Sequence, residues 1–468
     1  MPVNDVGLAS ASSARPKRAL RAVVALVLLG LITHGTFAGT GDEPHYLAIT
    51  HSLAFDLDFD LANNYGANEP LIAGGQLAPE NHVRPGADGV VRPIHDVGMP
   101  ILAAPAVRML RPLADWIART LPERAMQRMK LTPSVLYRHV ISMVMIAVAV
   151  VMSGLLFDAF VRLGVTPRAT FGAALIVMLS PPLLIHSVLY FTELLTACLS
   201  LWVFVRIQDS WLRASAGRMR EAKPEATTAR ALEGTGYWAL VGAAIGLLLL
   251  IHARNAGLVL AFTLLGGRAA WRGGARHAAA FAGGLAPLLA ARTAINHHFW
   301  GTWLTTPHAT FGTFDAPTMG REIATRLGGL LLDQEFGLLL YAPVYTLALV
   351  GLVMMPERKV AQRVLFVSGC YLALILLPFT NIHGWTGGWS PAARFMTPVI
   401  PLLALSLPWV FRHTPPVILV VMVTLQLAID AYMWQNPKNL WNDGDGTAAM
   451  CARSRLAICR YLPSFVRR

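Results

Sequence analysis

Two adjacent acids just beyond the first apolar block are the residues best suited to chemistry. They lie in GDEPHYL, residues 41–47, where Asp42 and Glu43 are followed by His45 and Tyr46. A carboxylate beside a low-dielectric surface has its pKa raised, which favours a general base. The plainer alternative is helix termination by Gly41 and Pro44, with both acids solvated. The same loop continues through Asp56, Asp58, Asp60, Asn63, Asn64 and Tyr65 to His82, Arg84, His95 and Asp96. Leu57 and Phe59 separate its alternating acids, and no glycine turn or terminal glutamate follows at calcium-loop spacing, so no dedicated calcium site is expected.

Four later clusters could face the same site. Tyr190 and Glu193 follow the Pro181-Pro182 interruption, and an acid at a membrane boundary is costly enough to suggest function, with helix capping as the alternative. His252, Arg254 and Asn255 join two short apolar segments, where Arg254 can grip a phosphate bidentately or serve as a headgroup anchor. Asp333, Gln334, Glu335, Phe336 and Gly337 open another apolar block. In GWTGGWSPAARF, residues 384–395, Trp385 and Trp389 flank a glycine pair that leads to Arg394. Glycines admit a ligand to the backbone, indoles stack on sugar faces and an arginine suits phosphate; a membrane aromatic belt is the alternative. His297, His298 and His308 match no strong zinc pattern and are expected at the surface.

The elements that must position these groups are membrane helices. The 468 residues are 55% hydrophobic and 14% charged, and the apolar residues come in long blocks. A helical span needs about 20 mostly apolar residues. Candidate spans are residues 19–38, 135–160, 169–186, 189–205, 237–251, 336–355, 364–379, 395–410 and 416–433, plus the shorter 256–267 and 278–291. The net charge of +13 sits in short clusters between blocks, which argues for topology-setting charge rather than nucleic-acid binding.

Residues 98–110 are apolar but interrupted by Pro100, Pro105 and Arg108. If they do not cross, the later basic clusters, from Arg162 to Arg412, fall on the side of Arg15, Lys17, Arg18 and Arg21, as the positive-inside tendency requires. The expected architecture is therefore an all-α polytopic membrane protein with eleven transmembrane helices. A cytoplasmic tail (1–18) precedes a transmembrane domain (19–433), whose long first periplasmic loop (39–134) contains interfacial helices; a periplasmic tail (434–468) follows. Cys198 and Cys370 lie in apolar blocks, whereas Cys451 and Cys459 share a polar tail where an oxidising compartment would let them pair.

With these features together, the chain resembles the GT-C superfamily of integral-membrane glycosyltransferases, near the protein O-mannosyltransferase and aminoarabinose-transferase branch. Asp42 and Glu43 match in position and type the acidic pair those enzymes carry after the first helix, and HDVGMPILAAP, residues 95–105, is similar to their Pro-containing loop stretch. It lacks the paired prolines of the mannosyltransferase pattern. The resemblance implies an inner-membrane enzyme that moves a sugar from a polyprenyl-phosphate donor to a glycan, lipid or protein acceptor at the periplasmic face, with inversion. Asp42 would be the base, and Arg138, His252, Arg254 and Arg394 would meet the lipid phosphate. His45, Tyr46, His95, Glu193, Asp333, Trp385 and Trp389 would line the substrate site. Glu43 would either position the acceptor or bind a divalent cation, magnesium or manganese. A transporter or lipid flippase is the rival reading, although it predicts two related halves that the hydropathy does not display.

Overall fold

The computed structural model describes residues 6–34, 41–66, 82–128, 133–220, 234–304, 316–377, 385–388, 390–435, 447–448, 451 and 460–466. Its main helices are α1 (Val6–His34), α2 (Glu43–His51), α3 (Gly98–Thr120), α4 (Pro133–Arg162), α5 (Pro167–Leu179), α6 (Thr192–Arg220) and α7 (Thr235–Ile251). Then come α8 (Ala256–Gly273), α9 (Ala275–Trp300), α10 (Ala316–Leu332), α11 (Val344–Met354), α12 (Arg358–Leu376), α13 (Leu407–His413) and α14 (Pro416–Gln435).

Helix falls in every one of the apolar blocks. Among the described residues four helical stretches are long and apolar enough to cross a membrane unaided: Leu136–Arg162, Ala275–Trp300, Arg358–Leu376 and Arg394–His413. Others are broken where proline removes an amide donor and constrains the residue before it. The block at 169–186 stops at Leu179, before Pro181-Pro182, and resumes as one turn at Leu183–His186. Pro343 divides the block at 336–355 into Leu338–Tyr341 and α11.

Two features of the first loop depart from the sequence reading. Residues 98–110 belong to one longer helix, α3, which contains Pro105 and Pro112 and leaves Leu102, Met109 and Trp116 exposed. The chain is also not purely α. Strands β1 (Val83–Pro85) and β2 (Val91–Pro93) form an antiparallel hairpin, with Arg84 opposite Arg92. Asp88 and Gly89 make its turn; Gly89 takes a φ of 79°, a conformation that glycine adopts without penalty, and Arg92 pairs back to Asp88 at 2.5 Å.

Helices α6 and α8 act as rulers. Glu193 and Asp209 lie about 24 Å apart along α6, and Arg254 and Arg272 about 27 Å apart along α8 and its leading turn, at 1.5 Å per residue. That approaches the hydrocarbon thickness of a bilayer. At one end, Arg162 pairs with Asp209 at 3.3 Å, Arg363 donates to Gln208 at 2.5 Å, and Arg272 and Arg363 both stack on Trp211. Lys17 meets Asp158 and Arg412 donates to the Gly164 carbonyl near the same end. Among the described residues, Lys17, Arg162, Arg272, Arg363 and Arg412 therefore gather on one side, and Glu193 and Arg254 stand on the other.

Glycines set the closest approaches. A Cβ on Gly284 of α9 would strike the Ala239 carbonyl of α7, so these helices pack backbone to backbone. Gly98, at the start of α3, lies against the backbone of Leu250 and Ile251 and seats the first loop beside the 252–255 turn. Gly98→Val should cost about 1–3 kcal/mol of stability through overpacking. A lowered unfolding temperature in detergent is the expected result; an unchanged one would contradict this seating.

Candidate active site

The site starts with the turn that ends the first loop's approach to α2. Gly41 takes a φ of 59°, and Pro44 in the first turn of α2 loses no helical hydrogen bond, so the helix begins at Glu43 with Asp42 at its edge. Arg394, at the start of the 394–399 turn, reaches across the fold. Its Nη2 donates to Asp42 Oδ2 at 2.6 Å and its Nε to Glu193 Oε1 at 2.6 Å. Arg254 adds a longer contact to the same Glu193 oxygen, 3.5 Å from Nη1. The guanidinium carbons of Arg394 and Arg254 lie over the rings of Phe191 (4.7 Å) and Phe395 (3.9 Å). Two acids and two arginines thus balance in charge within a largely apolar wall.

Burial makes this pairing matter. Glu193 and Arg394 are 2% and 4% exposed, whereas the Asp42 side chain keeps 24% of its surface open. Buried charges are tolerated only when paired and hydrogen-bonded. Burial pushes the Asp42 carboxyl up, but the Arg394 guanidinium beside it, with His95 and His82, outweighs that and holds it well below the usual carboxylate range. The backbone has yielded to this geometry. Ala393 takes a left-handed φ of 57°, and Gly387 a φ of 85° that turns its carbonyl to accept from Arg394 Nη1 at 3.1 Å.

Glu43 occupies different surroundings. It is 1% exposed, its Oε1 accepts the Tyr190 N–H at 2.9 Å, and its Oε2 lies 4.0 Å from Arg138 Nε. Burial raises its pKa, opposed by Arg138 and the Tyr190 N–H. Tyr190 is held again through its hydroxyl, 2.9 Å from Thr50 Oγ1. Glu43 therefore ties α2 to the segment before α6 through the Tyr190 N–H and to α4 through Arg138, while Asp42 faces the open edge.

Above Asp42 lies a stack of imidazoles. The rings of His45 and His82 are parallel with centroids 3.3 Å apart, His45 Nδ1 is 2.5 Å from the Tyr65 hydroxyl, and His82 Nδ1 is 2.9 Å from His95 Nε2. Burial, then the neighbouring His82 and His95, lower His45 to about 3, so it is neutral at physiological pH. Tyr46 is fully buried, its ring 5.1 Å from that of His95. One ligand atom each from Asp42, His82 and His95 fall within 4.8 Å of one another, a set able to hold a metal ion. On the far side of Arg254, His252 Nε2 lies 2.7 Å from Nη2.

The structure thus brings Asp42, Glu193, His252, Arg254 and Arg394 into one network, with His45, Tyr46 and His95 beside it and Glu43 with Arg138 next to it. Two expected substrate residues have other work. Asp333 is fully buried and spends its carboxylate on the N–H groups of Glu335, Phe336 and Phe465, fastening a turn and the C-terminal segment. Trp385 packs on Gly329 and against the Phe336 ring. Trp389 lies outside the described residues, as does His308. His297 and His298 are exposed, as expected. Cys451 is disulfide-bonded, and Cys198 and Cys370 are free thiols. The sequence reading named His82 and Asp96 among the loop's functional side chains without assigning either a specific task, and it did not single out Arg292, which pairs with Asp96 at 2.5 Å. The Asp88-Gly89 turn signal was the available clue, because the hairpin it makes folds this loop back.

Arg394→Gln leaves two carboxylates facing one another and should cost about 3–5 kcal/mol. The acid side gives a second check. Asp42 has a lower pKa folded than unfolded, so its contribution is present above the ordinary carboxylate value of about 4 and fades as pH falls below it. The unfolding temperature of the unaltered chain should hold from neutral pH down to that region and then drop, with a shallower drop in Arg394→Gln; identical profiles would contradict the pairing.

No family model matches the chain, and no curated protein matches it either. Among solved structures, a similar one is the crystal structure of ArnT from Cupriavidus metallidurans bound to undecaprenyl phosphate, at 13% sequence identity and a TM-score of 0.49. The match covers 88% of this chain and 63% of that protein's length.

Proposed function

We propose that this chain is a membrane glycosyltransferase that crosses a bacterial inner membrane eleven times and transfers a sugar from a polyprenyl-phosphate carrier to a glycan, lipid or protein acceptor at the periplasmic face. One observation carries the reading: the buried Arg394 guanidinium joins Asp42 and Glu193, with Arg254 alongside, on the side of the fold away from the basic clusters. The positive-inside tendency makes that the non-cytoplasmic side.

The chemistry sets distinct tasks. The acceptor oxygen attacks the anomeric carbon, the bond from that carbon to the phosphate oxygen breaks, and its electron pair leaves on the lipid phosphate. Arg394 and Arg254 neutralise that charge, and Asp42 takes the acceptor proton. Held by Arg394, Asp42 is a weak base. An incoming phosphate competes for the same guanidinium, so donor binding relieves Asp42 of its partner and raises its basicity. Displacement in one step inverts the anomeric centre.

Asp42, His82 and His95 could instead hold a divalent cation, and Asp42 would then serve as a ligand rather than as the base. Two imidazole donors with one carboxylate suit zinc or manganese better than magnesium, which prefers oxygen ligands. Bound there, such an ion would supply positive charge beside the acceptor. Metal analysis of the untagged protein should find about one equivalent, lost in His82→Ala; equal metal in both would contradict this site.

Asp42→Asn tests the central reading. Transfer from a synthetic polyprenyl-phosphate sugar by the purified chain should fall by about 100-fold or more, the scale of a general base, while membrane insertion and elution as a single species stay normal. Full turnover in the variant would remove Asp42 as the base. No turnover by the unaltered chain with any polyprenyl-phosphate sugar would remove the transferase reading.

A further inference from the structure

We infer that Asp96 is a positioning residue: its carboxylate fixes the tautomer and orientation of His252, and through that imidazole holds the Arg254 guanidinium against Glu193. Its bearing on catalysis rests on the transferase reading, in which Arg254 meets the donor phosphate.

The geometry forms a chain. Asp96 Oδ2 accepts the Ala253 N–H at 2.7 Å and lies 3.4 Å from His252 Nδ1; Asp96 Oδ1 is paired with Arg292 Nη2 at 2.5 Å. His252 Nε2 is 2.7 Å from Arg254 Nη2, and Arg254 Nη1 is 3.5 Å from Glu193. A neutral imidazole has one donor and one acceptor nitrogen. Guanidinium nitrogens only donate, so Nε2 must be the acceptor and Nδ1 must carry the proton toward Asp96. The opposite tautomer would set an N–H against the guanidinium and a lone pair against the carboxylate. One contact favours that opposite form, since the Arg254 backbone N–H lies 3.1 Å from Nδ1. It is a single neutral bond against the 2.7 Å contact with the Arg254 guanidinium, which is roughly twice as strong, and the longer-range attraction of the Asp96 carboxylate for a proton on Nδ1, 3.4 Å away.

Burial, then the charges of Arg254 and Arg394, lowers the His252 pKa and keeps the ring neutral. The space beside Asp96 favours bracing over ligand binding. A cavity lined by His95, Asp96, Arg292, Asn296 and Phe299 has a volume of about 20 Å³, room for a water molecule but not for a sugar.

The test is a double-mutant cycle on the full-length protein, with undecaprenyl phosphate as the binding probe and thermal unfolding as a second readout. Asp96→Asn and His252→Ala should each weaken lipid-phosphate binding by about tenfold, the worth of one charge-assisted hydrogen bond, and the double variant should be no weaker than His252→Ala alone. Arg292→Gln, which removes a different partner of the same carboxylate, should change binding by less than about threefold. Wild-type affinity in Asp96→Asn, a full further loss on the His252→Ala background, or equal weakening by Arg292→Gln would each overturn the inference. If the unaltered chain does not bind the probe, the transferase reading fails, and the unfolding temperatures still decide the inference: coupled shifts support it and additive shifts overturn it. Nitrogen NMR of labelled histidine needs no variant. A proton on His252 Nδ1 is expected, and one on Nε2 would overturn the tautomer.

Discussion

At the end away from Arg162, Arg272 and Arg363, the fold depends on one guanidinium. Arg394 donates to Asp42 after α1 and to Glu193 at the start of α6, while its own segment is turned by a left-handed Ala393 and accepted by the Gly387 carbonyl. Moving any one of these charges out of register would leave another buried without a partner, a penalty of several kcal/mol. The segments that meet there are consequently tied to one another, and the open edge of Asp42 is the place where a competing anion could enter.

Neighbouring acids acquire different roles from their surroundings. Asp42 and Glu43 are adjacent in sequence, yet Asp42 is partly open and held by a charge, whereas Glu43 is sealed in and holds a backbone amide. The second acid is a fastening for α2, and the first, paired with Arg394, keeps an open edge. A similar division separates Arg394, which bridges two acids, from Arg138, which stands 4.0 Å from Glu43.

Much of this was legible in the sequence because the membrane restricts what a chain can do. Apolar blocks became helices, prolines marked their breaks, and Arg162, Arg272, Arg363 and Arg412 gathered at one end. Asp42, Glu193, Arg254 and Arg394 stood out because charge beside apolar blocks is expensive. Other things were hidden because they depend on contacts across long stretches of chain. Asp333 looked like a site acid, but its geometry is that of a turn, with three backbone amides converging on it. Asp96 looked like one polar loop residue among many, and only the packing of Gly98 against Leu250 and Ile251 brings it to His252. His82 owes its place to the β1–β2 hairpin, which a β-turn signal could announce but no helical period could.

The most direct measurement is a cryo-EM structure of the full chain in a lipid nanodisc with a non-hydrolysable polyprenyl-phosphate sugar. The expected density places the phosphate within hydrogen-bonding distance of Arg394 and Arg254, with Asp42 released from Arg394 and facing the anomeric carbon. A phosphate bound at the opposite, basic end of the helices, or an Asp42 directed into bulk water away from Arg394, would contradict it.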